Sequence, residues 1–165
     1  METEKCIFTR VSGRNYKPNK IHSGIPQKLL EAAIRAPSGK NNQPWKFKII
    51  DNAEMIKSIS LCSSSGIWMK NSAVLIAVFL NKQNLYDYIK GVQSCGAAIQ
   101  NILLFAHDLG LGACWVGDVL SNSNKVFEIL QINDAALDLM GIVSLGYTRS
   151  EKGITERKPL SDFLL

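Results

Sequence analysis

The feature that most constrains the fold of this 165-residue chain is a long helical segment, residues 85 to about 109, which is almost uniformly apolar in its second half. Its middle, residues 97–106, has the sequence AAIQNILLFA and leaves scarcely a polar face. A helix that is apolar nearly all round must be buried on all sides. In so small a chain, other elements have to wrap this helix or a second subunit has to cover it. We therefore expect a homodimer.

A second apolar run, residues 73–80, predicts a strand that is buried on both faces. Three further strand patterns occur, at residues 46–51, 111–117 and 137–145. Helical patterns separate the strands, at residues 3–8, 26–35, 53–62 and 123–130. Helices that alternate with about four strands predict a layered α/β or α+β fold. No repeat or internal boundary interrupts the pattern, so we expect residues 1–165 to form a single domain.

Composition disfavours several classes of function. The net charge of +5 is scattered rather than gathered in a stripe, which argues against a nucleic-acid binder and favours small anionic ligands. Four cysteines lie far apart without a C-x-x-C pair, which fits neither a zinc site nor a disulfide framework. No signal-peptide pattern is present and the longest apolar run is too short to span a bilayer. We expect a cytoplasmic protein with free thiols, no metal and no membrane contact.

The sequence APSGKNNQPW, residues 36–45, predicts an ordered turn between a helix and a strand. Its two prolines restrict the backbone, and its serine, asparagine and glutamine side chains offer many hydrogen-bonding groups over a short arc. Two interpretations remain open. The side chains bind a planar polar ligand, or they cap their own backbone, which is the commoner role of serine and asparagine in turns.

Several familiar cofactor-binding and catalytic motifs are absent from the sequence. Gly110-Leu111-Gly112 closes a helix, whereas a dinucleotide fingerprint has to open one after a strand. Neither a P-loop nor a G-x-S-x-G elbow occurs, and His107 fits a hydrogen-bonded helix-end histidine better than a catalytic one. By contrast, Arg10, Ser12, Arg14 and Arg157 form a chemically sensible phosphate clamp, because arginine binds phosphate through paired, charge-assisted donors.

Four segments together resemble the FMN-dependent nitroreductase family over nearly the whole chain. Residues 10–16, RVSGRNY, are similar to the family's R-R-S-x-R-x-F/Y, and residues 36–45 are similar to its A-P-S-x-x-N-x-Q-P-W. Residues 96–117 resemble its long dimer-forming helix and following strand. Gly146-Tyr147 with residues 157–160, RKPL, resembles its G-Y…R-x-P-L. Each segment alone is weak, but four in register make the chain resemble a short member of this family.

The resemblance implies an α+β fold: a three-layer α-β-α sandwich with a central mixed, mainly antiparallel sheet and a long buried helix at a dimer interface. It also implies an obligate homodimer with FMN at each subunit interface. Eleven positions would then bind the cofactor: Arg10, Val11, Ser12, Arg14, Pro37, Ser38, Gly39, Asn41, Val116, Gly117 and Arg157.

The roles implied for these positions differ. Arg10, Ser12 and Arg157 would hold the FMN phosphate, and Arg14 would lie near the pyrimidine edge of the flavin. Val11 replaces a second basic residue of the family pattern, so only its backbone can contribute. Positions 37, 38, 39 and 41 would come from the partner chain. The backbone at positions 116 and 117 would border the flavin near N5.

The resemblance implies an NAD(P)H-dependent oxidoreductase, with NADH or NADPH as donor, that reduces nitroaromatic, quinone or similar acceptors by a ping-pong mechanism. No side chain need be a catalytic acid or base, because the flavin carries the hydride chemistry. Alternatives are a dehalogenase or oxidase on the same scaffold and a non-enzymatic flavin-binding module. The stretch between Asn81 and Leu85 is very short, so we expect an open flavin face and loose acceptor choice.

Overall fold

The structure of the protein is a computed structural model that describes residues 1–149 and 155–165. Within these residues, six α-helices form: α1 (Thr3–Thr9), α2 (Gly24–Ala33), α3 (Ala53–Ser60), α4 (Gly66–Met69), α5 (Tyr88–Asp108) and α6 (Ser123–Leu130). The same residues contain four strands: β1 (Trp45–Ile50), β2 (Val74–Asn81), β3 (Gly112–Val116) and β4 (Leu137–Gly146). Each strand and each longer helix lies within a few residues of its position in the sequence-based prediction.

The strands form one antiparallel sheet in the order β1-β2-β4-β3. Trp45 pairs with Leu80 at one end of the β1–β2 ladder, and Gly112 pairs with Gly146 on the far side of the sheet. Beyond β3, Ser12 forms an isolated parallel bridge to Ala113. The predicted mainly antiparallel sheet is therefore confirmed: all four strands pair antiparallel, and the parallel pairing of Ser12 with Ala113 is a single bridge outside them.

Alternate residues of β2 point into two different hydrophobic cores. Ile76 and Val78 belong to the core that α2 and α5 cover, whereas Ala77 and Phe79 belong to the core that α3, α4 and α6 cover. Strand side chains alternate between faces, so a strand with helices on both sides must be apolar throughout. All eight residues of β2 are buried, and the predicted three-layer α-β-α sandwich is confirmed.

The long helix α5 is buried on one face only within a single chain. Its first turn is capped by Asp87, whose carboxylate accepts a hydrogen bond from the Lys90 N–H at 2.9 Å. It ends before Gly110, which adopts the expected left-handed conformation at φ 77°. On the outward face, Ile89 is 69% exposed and Val92 is also exposed. A single chain therefore does not give α5 the burial on all sides that its sequence predicts.

Three local features differ from the sequence-based expectations. The residues after the serine loop, 63–65, form the short helix α4, which sequence patterns do not predict because one turn is too short to show a helical period. Serine favours the capping position of a helix, but Ser123 is the first helical residue of α6, and Asn122 occupies the capping position without a side-chain bond. The tail, residues 155–165, is exposed throughout rather than packed, including Leu160, Phe163 and Leu164.

Among residues 1–149 and 155–165, no helix combines the length and the apolar character that a membrane span needs.

Candidate functional site

The arginine segment, residues 10–14, lies beside the outer edge of β3. Its Gly13 N–H donates a hydrogen bond to the Ala113 carbonyl at 2.9 Å, next to the parallel bridge of Ser12. A Cβ atom on Gly13 would lie 2.7 Å from the Cα of Gly112, so only glycine permits this approach. The pairing fixes the segment in register with β3. Ser12 and Arg14 are exposed and Arg10 is half-buried, which presents two guanidinium groups and a hydroxyl at this edge.

Tyr16 anchors the end of the arginine segment. Its hydroxyl donates to the Gly13 carbonyl at 2.7 Å and lies 2.7 Å from the Ser144 hydroxyl on β4. Burial of the ring raises the pKa of Tyr16 well above its ordinary value, so the hydroxyl keeps its proton and remains a donor. The loop that carries Arg14 is thereby tied to the sheet at both of its ends.

Trp68 on α4 contacts the side chain of Arg14. The guanidinium carbon of Arg14 lies 5.8 Å from the centre of the Trp68 ring, within the range of a cation–π contact. The Trp68 ring also lies 6.4 Å from that of Tyr16. Sequence patterns do not single out Trp68, because the single turn of α4 shows no helical period. The available signal is a lone aromatic residue that follows three consecutive serines, residues 63–65.

Val116 and Gly117 lie at the end of β3, where the chain turns away from the sheet. Val116 is buried, whereas a Cβ atom on Gly117 would meet no atom within 4 Å, so open space lies next to it. The following residue, Asp118, accepts hydrogen bonds from the Ser63 hydroxyl and the Ser64 N–H, both at 2.8 Å, and from the Ser64 hydroxyl. These bonds tie the serine loop to the end of β3.

The ionisation of Asp118 is consistent with this role as a tether. Burial alone would raise the pKa of Asp118, but the hydrogen bonds from Ser64 and Ser63 outweigh it and hold the pKa below its ordinary value. The carboxylate therefore remains charged near neutral pH, where it can only accept hydrogen bonds. The serine loop, residues 63–65, is thereby fixed in place.

The proline turn, residues 36–45, lies at the other end of the sheet order, immediately before β1. The Ser38 hydroxyl accepts a hydrogen bond from the Gln43 N–H at 3.0 Å, so one of its side chains does cap the turn's own backbone. Three residues without a glycine's freedom adopt left-handed backbone angles: Lys40 (φ 52°), Asn41 (φ 54°) and Gln43 (φ 46°). Such clustered strain persists only where the surroundings enforce it, and it is commonest at functional sites.

A small cavity of about 230 Å³ opens between the proline turn and α5. Its lining consists of Pro37, Ser38, Gly39, Lys90, Gln93, Ser94 and Ala97. Beside it, a Cβ atom on Gly39 would lie 2.4 Å from the Tyr86 hydroxyl oxygen, so Gly39 packs directly against that ring. Three of the four turn residues expected to face a cofactor therefore line a single concave surface, and Asn41 is exposed beside them.

One chain does not bring the two groups of candidate residues together. The proline turn leads into β1 and the arginine segment lies beyond β3, and three inter-strand steps of about 4.8 Å, or about 14 Å, separate those strands. Arg157 lies in the exposed tail, and its guanidinium donates to the neighbouring Glu156 carbonyl at 3.1 Å. Each edge therefore carries half of a candidate site, and the arginine edge has the donors that suit a phosphate.

Comparisons with known proteins agree with this architecture. Residues 7–66 and 60–147 match the model of the nitroreductase family. One relative is a protein of Archaeoglobus fulgidus that carries the inferred name NADH dehydrogenase/NAD(P)H nitroreductase. It is 37% identical to this chain over 159 residues, and the match covers 94% of this chain and 90% of that protein.

Solved structures give the same result. An inferred nitroreductase of Desulfovibrio desulfuricans, solved in complex with FMN, matches with a TM-score of 0.93 and 32% identity, covering 100% of this chain and 97% of the other. The NADPH:FMN oxidoreductase of Vibrio harveyi, solved with NAD⁺, matches with a TM-score of 0.89 and covers 99% of this chain and 76% of its own. Because the two sequences are only 18% identical, this match shows the shared fold alone. The chain therefore belongs to the nitroreductase family.

Proposed function

We propose that this protein is an NAD(P)H-dependent FMN oxidoreductase that works as a homodimer and reduces nitroaromatic, quinone or similar acceptors by a ping-pong mechanism. One observation carries the proposal: the arginine segment and the proline turn present complementary polar groups, but at opposite edges of the same sheet. Two copies of the chain can supply both halves to one site. The FMN bound by the similar Desulfovibrio protein supports the choice of cofactor.

The residues at the arginine edge fit FMN. Arg10, Ser12 and Arg14 offer a cationic, hydroxyl-bearing end, and the ion pairs within residues 1–149 and 155–165, Met1 with Asp108 and Lys82 with Asp138, do not involve these arginines. From Ala113, opposite Ser12, to the open Gly117, β3 rises by four residues, or about 13 Å. An elongated ligand with a phosphate at one end and a flat polar ring at the other suits this edge.

In the proposed complex, Arg10, Ser12 and Arg157 hold the phosphate, and the backbone of Val11 contributes beside them. FMN, when bound, supplies the hydride-transfer chemistry. The positive charge of Arg14, held over Trp68, favours negative charge at the nearby edge of the ring. The open space beside Gly117 leaves room for a flat ring against the end of β3.

The partner chain contributes the proline turn. Pro37 and Gly39 provide a rigid, close-packing backbone, while Ser38 and Asn41 offer polar groups toward the ring. The strained backbone at Lys40 and Asn41 holds these groups in place before the cofactor arrives, which lowers the ordering cost of binding. No side chain of the site needs to act as a catalytic acid or base.

Homodimer formation also explains the exposed apolar surface. Ile89 and Val92 on the outward face of α5 and Phe163 in the tail are all exposed in one chain. A second copy would bury them, and the hydrophobic effect would favour association. We infer that residues 1–165 act as one unit within such a dimer. Its location is proposed to be the cytoplasm, where NAD(P)H is available, in keeping with four free, buried cysteines.

The direct test is an absorbance spectrum of the purified protein, followed by anaerobic titration with NADH and NADPH. We expect a yellow protein, or uptake of added FMN, and bleaching by at least one donor. With a nitroaromatic acceptor, initial rates should give parallel double-reciprocal lines, as a ping-pong mechanism requires. A colourless protein that fails to take up FMN would refute the proposal. Flavin that is reduced and then reoxidised by oxygen alone would favour an oxidase.

Mixed dimers test the shared site. Arg10→Ala damages the phosphate half and Asn41→Ala damages the turn half, so each homodimer should bind FMN weakly. A heterodimer of the two variants, purified through two different affinity tags, would contain one doubly damaged site and one intact site. We expect it to bind one FMN per dimer with wild-type affinity. If each site were built within one chain, both sites of the heterodimer would stay damaged and no binding would return.

A further inference from the structure

Two lysine ammonium groups lie over the ring of Tyr86, beside the proline turn. The Lys40 ammonium lies 4.8 Å and the Lys90 ammonium 5.0 Å from the centre of its ring, so the two cations are at most about 10 Å apart. Lys40 belongs to the strained turn and Lys90 to the first turn of α5. We call Lys40, Tyr86 and Lys90 the lysine–tyrosine cluster.

The charge of the lysine–tyrosine cluster is not balanced by a salt bridge. The ion pairs formed by residues 1–149 and 155–165 are Met1 with Asp108 and Lys82 with Asp138. The nearest carboxylate in the sequence, Asp87, accepts a hydrogen bond from the backbone of Lys90 as the cap of α5. Two like charges held on one ring repel each other, and an anion placed beside both of them would relieve that repulsion.

The position of the cluster relates it to the proposed flavin site. Gly39 packs directly against the Tyr86 ring, and the same Gly39 lines the cavity of about 230 Å³ together with Ser38 and Lys90. Lys90 lines this cavity, and Lys40 lies against the Tyr86 ring on which Gly39 packs, so both lysines lie beside turn residues that are proposed to contact the flavin.

We propose that the lysine–tyrosine cluster is an anion-binding subsite, and that the protein prefers aromatic acceptors that carry an acid group, such as a nitrobenzoate. The inference rests on the proposed function. In a nitrobenzoate, one ring separates the acid group from the nitro group. The cluster contacts the proline turn through Gly39, so an acid group bound at the cluster would leave the nitro group close to the flavin. In NADPH the adenosine phosphate lies far from the nicotinamide, so it would bind farther from the flavin than the lysine–tyrosine cluster does.

The test compares 4-nitrobenzoate with its neutral counterpart 4-nitrobenzamide. The flavin-loaded wild type should have a higher kcat/KM and a lower Kd, measured by calorimetry on the oxidised protein, for the benzoate. Lys40→Gln/Lys90→Gln should reduce that preference about threefold to tenfold, the scale of two exposed ion pairs. The preference should also weaken at high salt. Lys48→Gln/Lys125→Gln removes two exposed lysines elsewhere and should leave it unchanged.

The outcomes separate the subsite from the proposed function. A wild type that takes up no FMN refutes the proposed function, and calorimetry with the two nitro compounds then still decides the subsite. A flavin-loaded wild type without any preference for the benzoate overturns the subsite alone. A double variant that loses only its preference for NADPH over NADH overturns it too, because the anion would then be the phosphate of the donor.

Discussion

The arginine segment and the proline turn supply the two halves of the proposed site, but the protein holds them in different ways. The arginine segment is held by the sheet: Ser12 and Gly13 pair with Ala113, and Tyr16 bonds across to Ser144. The proline turn is held by local geometry, with three non-glycine residues in left-handed conformations. One half therefore depends on long-range pairing, and the other half depends on strain within ten residues.

This difference predicts opposite responses to substitution. Backbone pairing that relies on a missing Cβ is lost when any side chain is added, because two backbones cannot approach so closely otherwise. A strained turn responds in the reverse way, since removing a Cβ relieves the strain. Adding an atom should therefore damage the arginine segment, whereas removing atoms should stabilise the proline turn.

The largest effect is expected for Gly13→Ala. The new Cβ would lie 2.7 Å from the Gly112 backbone, which cannot move without shifting β3. Unfolding free energy should fall by about 1–3 kcal/mol, as for other overpacked sites. FMN affinity should fall by about tenfold or more, because Arg14 and Ser12 move with the segment. Urea unfolding of the apoprotein and titration with FMN measure the two effects.

Two alanine variants calibrate this result. Gly112→Ala would meet mainly a methyl group of Thr148, which can rotate away, so its effect should be smaller. Gly24→Ala at the start of α2 would make only ordinary contacts and should be nearly neutral. If Gly13→Ala is no worse than Gly24→Ala, the arginine segment is not held by its close approach to β3.

Local patterns predicted most of this architecture but not the arrangement of the site. The continuous apolar run of β2 and the long apolar α5 require a layered fold, and the structure confirms that fold. Sequence order cannot supply the strand order β1-β2-β4-β3, which places the two halves of the site at opposite edges. That separation depends on non-local pairing. It appears only once the sheet is assembled.

An intermediate effect is expected for Trp68→Leu, which tests a contact that the sequence did not reveal. Loss of the ring beneath Arg14 should remove about 0.5–1 kcal/mol of cation–π stabilisation, and FMN should bind about twofold to fivefold more weakly. The measurement is a double-mutant cycle with Arg14→Gln, read as the Kd of FMN. Once Arg14 is neutral, the tryptophan substitution should have little further effect. Equal effects in both backgrounds would show that Trp68 does not act through Arg14.

The backbone angles of the proline turn were also hidden from the sequence. Asparagine tolerates a left-handed conformation, so Asn41 could have been suspected. Lys40 and Gln43 have no such preference, and the hydrogen bond from the Gln43 N–H to the Ser38 hydroxyl, which accompanies the left-handed angle of Gln43, cannot be inferred from residue types. A residue type without a preference for left-handed backbone angles does not reveal, in the sequence, that its neighbours impose such angles.

The smallest effect is expected for Gln43→Gly. Relief of left-handed strain should raise the free energy of unfolding by about 1–2 kcal/mol. The greater freedom of glycine in the unfolded chain offsets about 0.5–1 kcal/mol of this, so the free energy of unfolding should rise by about 0.5 kcal/mol. Gln27→Gly makes the same exchange in the right-handed helix α2 and should instead lose about 1 kcal/mol. Urea unfolding of both variants gives the comparison. A loss at both positions would mean that the glutamine side chain, which donates to the Asn41 carbonyl at 3.3 Å, stabilises the turn more than its backbone strain destabilises it.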